Sequence, residues 1–286
     1  MHPRTGRADP RWHSGSAAIG GALVAKFAWS QIAARRTHQE SQVLMALRAA
    51  APHLQLPEVI ATGTDPVLLV TRLVPGRPLT AGGIAALDRA GVDRVAAQLA
   101  GFLAGLHDSS VLDAVQRSAA MVVPEPQADT NALRERLGRW VRPSQRDTVL
   151  HWCDWADAVL GDPSPPQVLA HGDLHGHNQL WDMGLPALQA VVDFDISGPI
   201  EAEFDFRYLP SQASEREFLA AVVRHYRQAS GRDLDLERVL AWHLRTVLGD
   251  ALWRSEAGVA LPGGGDPPRW VDELALRLND AGVTAA

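Results

Sequence analysis

Lysine is nearly missing from this chain: of its 27 basic residues, every one except Lys26 is arginine. A GC-rich coding genome produces such a bias, and it would place arginine wherever either cation serves. Cysteine is reduced to Cys153, so no internal disulfide can form and nothing points to an oxidising compartment. No apolar stretch approaches the roughly 20 residues that cross a bilayer. The first residues, MHPRTGRADPRWHSG, lack the apolar core of a secretory leader. A soluble, cytoplasmic protein is the expectation, with no membrane partner. A net charge of −6 argues against nucleic acid, whose phosphates demand a basic face. There is no internal repeat, no low-complexity tract and no G-x-G-x-x-G. What remains is globular, at 46% hydrophobic and 21% charged, and its 286 residues make one large domain or two ordinary ones.

The most informative feature present is His171–Asn178, HGDLHGHN. Fifteen residues after Asn178, behind the apolar run Ala190-Val191-Val192, comes Asp193 in the triplet D-F-D. Phosphoryl transfer needs this spacing. An Asp reaches the attacking hydroxyl, while an Asn five residues on and an Asp at the end of a nearby strand hold Mg²⁺ against nucleotide phosphates. Lys26 supports the same chemistry independently. It lies in Gly21-Ala22-Leu23-Val24-Ala25-Lys26-Phe27, an apolar strand pattern like the V-A-I-K strand of kinases, whose ammonium reaches the α- and β-phosphates. A compact point charge fits there and a planar guanidinium does not.

Charge is also unevenly spread. Residues 1–79 hold nine Arg or Lys against four Asp or Glu, and the remainder holds eighteen against twenty-nine. A basic part to grip a nucleotide beside an acidic part to attract a cationic second substrate suits such an enzyme.

Local patterns predict a short β-hairpin and a following strand from Trp12 to about Trp29, with Gly15 in one turn and Gly20-Gly21 in the next. Ser30 caps a helix to about Ala50 that carries Glu40 and shares Val43, Leu44 and Leu47 on one face. Two β-rich runs follow, Glu58–Thr62 and Val67–Leu73. The turn-rich Val74–Pro78 marks a lobe boundary. Beyond it Leu99, Phe102, Leu103 and Leu106 follow helical spacing. Val168–His171 reads as a strand entering the HGDLHGHN loop, and two short strands, about 179–181 and 188–192, set Asn178 opposite Asp193. Helices are expected near 214–229, 235–256 and 269–280.

Taken in order, strand-Lys, helix-Glu, hinge, HGDLHGHN and DFD make the chain resemble the aminoglycoside phosphotransferase family, relatives of protein kinases that phosphorylate small molecules. The resemblance implies an α+β, bilobal, protein-kinase-like fold. Residues 1–73 would form a small β-rich, nucleotide-binding N-lobe, 74–79 a hinge, and 80–286 a larger, mainly helical C-lobe. It makes Asp173 the catalytic base and Asn178 and Asp193 the Mg²⁺ ligands. Lys26 would bind the phosphates of ATP, with GTP also open, and Glu40 would hold Lys26 by an ion pair. The backbone of Thr71, Arg72 and Leu73 would read the adenine edge. Asp205 resembles the buried Asp that braces the catalytic loop, His171 holds that loop by packing and hydrogen bonding, and Asp195 is an outer metal partner or touches the acceptor. Acidic residues Glu201, Glu203, Asp250, Glu256, Asp272 and Glu273 are candidates to bind the ammonium groups of a cationic acceptor, most simply an aminoglycoside-type antibiotic. Phosphorylation would confer resistance.

Two departures matter. Gly172 stands where a protein kinase carries the Arg of H-R-D, and no A-P-E follows DFD, so no phosphorylation switch is expected and a small-molecule acceptor is favoured. Only ten residues separate Gly15 from Lys26. Either Ser14-Gly15-Ser16-Ala17 is a clipped phosphate cover or the chain start lacks part of the first strand. Among rivals, a metabolite kinase acting on choline, an amino alcohol or a sugar shares the motifs. A metallophosphoesterase would use Gly172-Asp173-Leu174-His175-Gly176 for two metals, but needs a downstream G-N-H that is absent. A non-catalytic kinase-like binding protein would not need all five kinase positions, which are present.

Overall fold

The computed structural model describes residues 14–161, 165–184, 186–213 and 216–280. Its N-terminal part is a sheet of four antiparallel strands, β1 (Ser14–Ile19), β2 (Leu23–Ala28), β3 (Val59–Thr64) and β4 (Val67–Arg72), in the order β1-β2-β4-β3. One helix, α1 (Gln31–Ala50), packs against it. Ser30 caps α1 by accepting the Ala33 N–H at 3.2 Å, which satisfies one of the orphan donors of the first turn. Val43, Leu44 and Leu47 are fully buried.

The first hairpin differs from expectation. Its turn is Gly20-Gly21-Ala22, between the paired Ile19 and Leu23, and Gly20 and Gly21 take left-handed φ of 57° and 68°, which glycine adopts without strain. That turn sets the register so that Gly15 lies opposite Phe27 and Ser16 opposite Lys26, both inside β1. The turn expected at Gly15, and the phosphate-covering loop at residues 14–17, are therefore strand. Trp12 lies outside the described residues.

The chain leaves β4 and crosses to a larger part whose first element is β5 (Arg77–Pro78). Because β5 pairs with Leu180 and Trp181, the crossing is shorter than the expected hinge of 74–79. Next come α2 (Ala81–Ala85), α3 (Arg89–Leu106), α4 (Ser109–Gln116), α5 (Thr130–Arg136) and α6 (Arg146–Gly161). Strands β6 (Val168–Ala170), β7 (Gln179–Asp182), β8 (Ala187–Val191) and β9 (Gly198–Ile200) form two small sheets, β5-β7-β8 and β6-β9. Helices α7 (Glu203–Phe206), α8 (Leu209–Gln212), α9 (Arg216–Ser230), α10 (Leu236–Ala257) and α11 (Pro267–Asp280) complete it.

The main core joins α1, α3, α4, α9 and the small strands, with Leu99, Leu103 and Leu106 of α3 fully buried. Each such side chain contributes roughly 1.5–3 kcal/mol of burial. A second core, around Trp152, Leu244 and Leu248, packs α6 and α10 with α5 and α11. A small β-rich lobe with one helix beside a mainly helical lobe is the α+β, kinase-like class read from the sequence. Among the described residues no helix is long and apolar enough to cross a membrane.

Candidate active site

Strand β6 delivers the chain to His171 and then to a loop that the surrounding protein holds at almost every backbone group. Asp205, fully buried at the head of the α7 segment, accepts the His171 N–H at 2.7 Å and the Gly172 N–H at 3.0 Å. Burial pushes Asp205 up, but the hydrogen bond and charge of His107, with these N–H groups, hold it below the usual carboxylate range. His107, from the end of α3, stands 3.1 Å from Asp205 and 3.0 Å from the Tyr226 hydroxyl. Gly172 has φ of 87°, and a Cβ there would sit 2.4 Å from the Ile196 carbonyl oxygen. No side chain fits, which accounts physically for the missing Arg of H-R-D.

The His171 ring is buried 4.5 Å from the Phe194 ring. Its Nε2 donates to Val192 O at 2.9 Å and its Nδ1 accepts the Asp173 N–H at 3.1 Å. Both nitrogens are occupied within the protein and burial lowers its pKa, so neither faces a ligand.

Asp173 is thereby presented at the cleft. Tyr208 donates to its Oδ1 at 2.6 Å, and His175 Nε2 lies 3.4 Å from its Oδ2. Burial would raise its pKa, but His175, Arg207 and Tyr208 together hold the carboxyl well below the usual range. His177 is exposed. Asn178 donates to Asp173 O at 2.8 Å. The pairing of β7 with β8, extended by Val192 N–H to Asn178 O at 2.9 Å, sets Asn178 beside the segment that carries Asp193.

From the other lobe comes Lys26. Its Nζ donates to Glu40 Oε2 at 2.8 Å, to Asp195 Oδ2 at 3.0 Å and to Asp193 Oδ1. Burial pulls the ammonium down, but these three carboxylates hold it well above its ordinary value. Glu40 also accepts the Phe194 N–H at 3.2 Å. Beside it, Gln39 donates to Ser197 O at 2.9 Å, and Ser197 Oγ donates to His171 O at 2.9 Å. Helix α1 is thus clasped to the D-F-D segment and, through Ser197, to the HGDLHGHN loop. Sequence reasoning missed Gln39 and Ser197, which carry no motif.

It also missed Arg207 and Tyr208, although they directly follow Asp205-Phe206. Arg207 is buried, with Nη1 on Phe204 O at 2.8 Å and Nη2 on Gly172 O at 2.5 Å. His243 of α10 supports this segment by donating Nδ1–H to Arg207 O at 2.7 Å, while its Nε2 is buried without a partner among the described residues. Burial, then the Arg277 charge, push His243 down to about 3 from 6.5, against that hydrogen bond. Between those values the unfolded chain holds a proton that the folded chain refuses. Stability is therefore full above pH 6.5 and falls on acidification by up to about 1.4 kcal/mol per pH unit. Urea midpoints across this range should flatten in His243→Asn; an unchanged profile would remove His243 from that role.

The proposed acceptor carboxylates do not stand together. Glu201 is buried and spent on Arg238 (Nε at 3.0 Å) and Trp242 Nε1, a structural ion pair and not a ligand site. Glu203 is buried and accepts the Asp235 N–H at 3.1 Å, just before α10. Glu256 pairs with Arg136 at 3.3 Å, Asp272 with Arg142, and Glu273 with Arg269 at 2.9 Å. Asp250 pairs with Arg254 at 2.8 Å: burial raises its pKa, Arg254 opposes this, and the Asp173 and His175 charges act on it. The adenine-edge expectation also shifts. Arg72 N–H is spent on Glu58 O and Leu73 N–H on Ala22 O, both at 2.8 Å. Among the described residues, Val74 is the first beyond them whose N–H has no partner.

A divalent cation fits this cleft on the structure's own terms. Three carboxylates face one ammonium, and burial raises Glu40 and, together with Asp193, raises Asp195. Asp193 itself is turned out of the chain at φ of 72°, a strained conformation for a non-glycine residue. With Asn178 Nδ2 given to Asp173 O, its Oδ1 is left free of protein donors among the described residues. Oxygen donors in so small a number suit Mg²⁺, which takes one or two carboxylates and completes its shell with phosphate and water.

A two-lobed fold that brings a strand lysine, a helix glutamate, and Asp173, Asn178 and Asp193 to one cleft defines a kinase-like protein. Residues 3–245 match the model of the phosphotransferase enzyme family, and the chain belongs to that family. It is 31% identical over 189 residues to viomycin phosphotransferase of Streptomyces vinaceus; the match takes in 63% of this chain and 64% of that protein, under two thirds of its length. Among solved structures it is similar to the GDP complex of wild-type aminoglycoside 2'-phosphotransferase-IIIa, with a TM-score of 0.68 and 20% identity over 94% of this chain and 89% of that one. It is also similar to macrolide 2'-phosphotransferase MphH from Brachybacterium faecium, with a TM-score of 0.57 and 21% identity over 93% and 88%. At these identities the structural likeness is one of fold. Family membership displaces the metallophosphoesterase reading.

Proposed function

We propose that this protein is an ATP-dependent O-phosphotransferase that phosphorylates a hydroxyl of a cationic antibiotic, aminoglycoside-like or peptidic, and so confers resistance from the cytoplasm, where ATP is available. The observation that carries the reading is the meeting of Lys26 with Asp193, from opposite lobes, beside Asp173 and Asn178. Lys26 would hold the nucleotide phosphates, kept in place by Glu40, and Val74 N–H would meet the base. Asn178 and Asp193 would hold Mg²⁺, which when bound supplies neutralisation of phosphate charge. Asp173 would accept a hydrogen bond from the acceptor hydroxyl and aim its oxygen at the γ-phosphorus. The new P–O bond forms as the β,γ-bridging bond breaks, ADP leaves, and the hydroxyl proton is given up late, through Asp173, to solvent. Positioning and charge neutralisation supply most of the catalysis. Asp250, partly open and under the influence of the Asp173 charge, would meet an ammonium group of the acceptor.

The test is incubation of the protein with ATP, Mg²⁺ and a panel that includes viomycin, kanamycin, gentamicin, streptomycin, a macrolide, choline and other amino alcohols. A mass gain of one phosphate on a cationic antibiotic, with ADP formed in equal amount, is the expected result. Phosphate on choline or an amino alcohol alone would replace the antibiotic reading with a metabolite kinase. No phosphorylated product would overturn both.

A further inference from the structure

We propose that Tyr208 is a positioning residue for the transfer: it occupies one oxygen of Asp173 so that only the other meets the acceptor hydroxyl. This rests on the reading of Asp173 given above. The Tyr208 hydroxyl donates to Asp173 Oδ1 at 2.6 Å, a charge-assisted bond that strongly directs the phenolic proton. Its direction is fixed from behind, because Arg207 Nη2 donates to the same phenolic oxygen at 3.2 Å. An Arg cannot accept, so the only use left for the Tyr208 proton is the carboxylate.

The ring has little freedom to turn away. The Arg207 guanidinium lies 4.3 Å from its centroid and 3.7 Å from that of Phe204, and the His175 ring meets it edge-on at 5.6 Å and 86°. A carboxylate torsion is broad and two-fold when nothing holds it. With Oδ1 taken, Oδ2 is the oxygen that lies 3.4 Å from His175 Nε2 and 3.5 Å from Asn178 Nδ2, on the side where the metal ligands stand. The short stretch from Asp205 to Tyr208 therefore holds both the backbone of the catalytic loop, through Asp205 and Arg207, and the side chain at its tip, through Tyr208.

Tyr208→Phe keeps the ring and its stacking and removes only the hydroxyl. The experiment measures steady-state transfer from MgATP to viomycin and to kanamycin, and to water in their absence, for the wild type, Tyr208→Phe, Asp173→Asn and the double variant, with a thermal melt of each. The expected result is a fall in kcat of about 10- to 100-fold in Tyr208→Phe, the scale of a misoriented reacting group. KM for MgATP and the melting midpoint should stay near wild type. Tyr208→Phe should slow Asp173→Asn no further, because the carboxylate whose orientation it sets is already gone, although the Asn oxygen can still accept from Tyr208. Wild-type turnover in Tyr208→Phe overturns the proposal, as does a lowered midpoint with losses that multiply in the double variant, which would mean packing alone. Full turnover in Asp173→Asn would instead bring down the reading of Asp173 itself.

Discussion

Asp173→Asn should lower kcat by about 10²- to 10⁴-fold, the range assigned to a positioned acid–base group, while KM for ATP changes by no more than a few-fold. The expectation follows from how the site divides its work. Asn is the same size and its oxygen can still accept from Tyr208, so the loop braced by Asp205 has no reason to move. The charge is lost, and in its place an amide N–H can face the acceptor hydroxyl, whose proton it cannot receive. Lys26, Asn178 and Asp193 are untouched, so nucleotide binding measured by calorimetry should be near wild type. Unchanged turnover would remove Asp173 from its assigned role; a collapse of nucleotide affinity would mean that the loop, and not the carboxylate, was damaged.

Lys26→Arg is the second large effect, expected to cut kcat/KM for ATP by about 10²-fold, the scale of losing one preorganised electrostatic contact, although the charge is kept. The Lys26 ammonium has three donors and three carboxylates around it, at 2.8 Å for Glu40, 3.0 Å for Asp195 and in direct contact with Asp193. A guanidinium places its donors in one plane, is longer, and cannot serve three carboxylates arranged around a point. Arg keeps the positive charge that faces these three carboxylates, so melting should change little. Steady-state kinetics across ATP concentrations would test this, and wild-type kcat/KM would show that only charge matters at this position. In a chain that uses arginine at every other basic position, that outcome would also make the lone lysine an accident.

The parts of the site that could be read from the chain are those whose geometry is local. Asp173 and Asn178 share one tight loop whose shape Gly172 and Gly176 impose, since a Cβ at Gly176 would meet the Leu79 carbonyl oxygen at 1.9 Å. Asn178 and Asp193 flank a hairpin whose short strands and turn are visible as a pattern. Ser30 and the spacing of Val43, Leu44 and Leu47 announce α1 in the same way. The first hairpin was misread at Gly15 because several glycines compete for the turn, and the adjacent pair Gly20-Gly21 wins it.

The misassigned acids failed for a different reason. A glutamate looks the same in sequence whether it faces water or an arginine. Glu201 became structural only when α10 brought Arg238 and Trp242 against it, and Glu203 only when Asp235 came to lie above it. Asp195 joined Lys26, and Tyr208 joined Asp173, by contacts across 169 and 35 residues.

By itself the amino-acid order determined the two-lobed class, the loop with Asp173 and Asn178, and the pairing of a unique lysine with acidic partners, because strand, helix and turn signals act over a few residues. Only the tertiary structure decided which carboxylates are buried in ion pairs and which remain open to a ligand, where the crossing between lobes has an N–H without a partner among the described residues, and that Arg207 and Tyr208 stand behind the Asp173 carboxylate. Those outcomes depend on which helix packs over which side chain. Burial, which sets the cost of every unpaired charge, is a property of the assembled core and of no single segment.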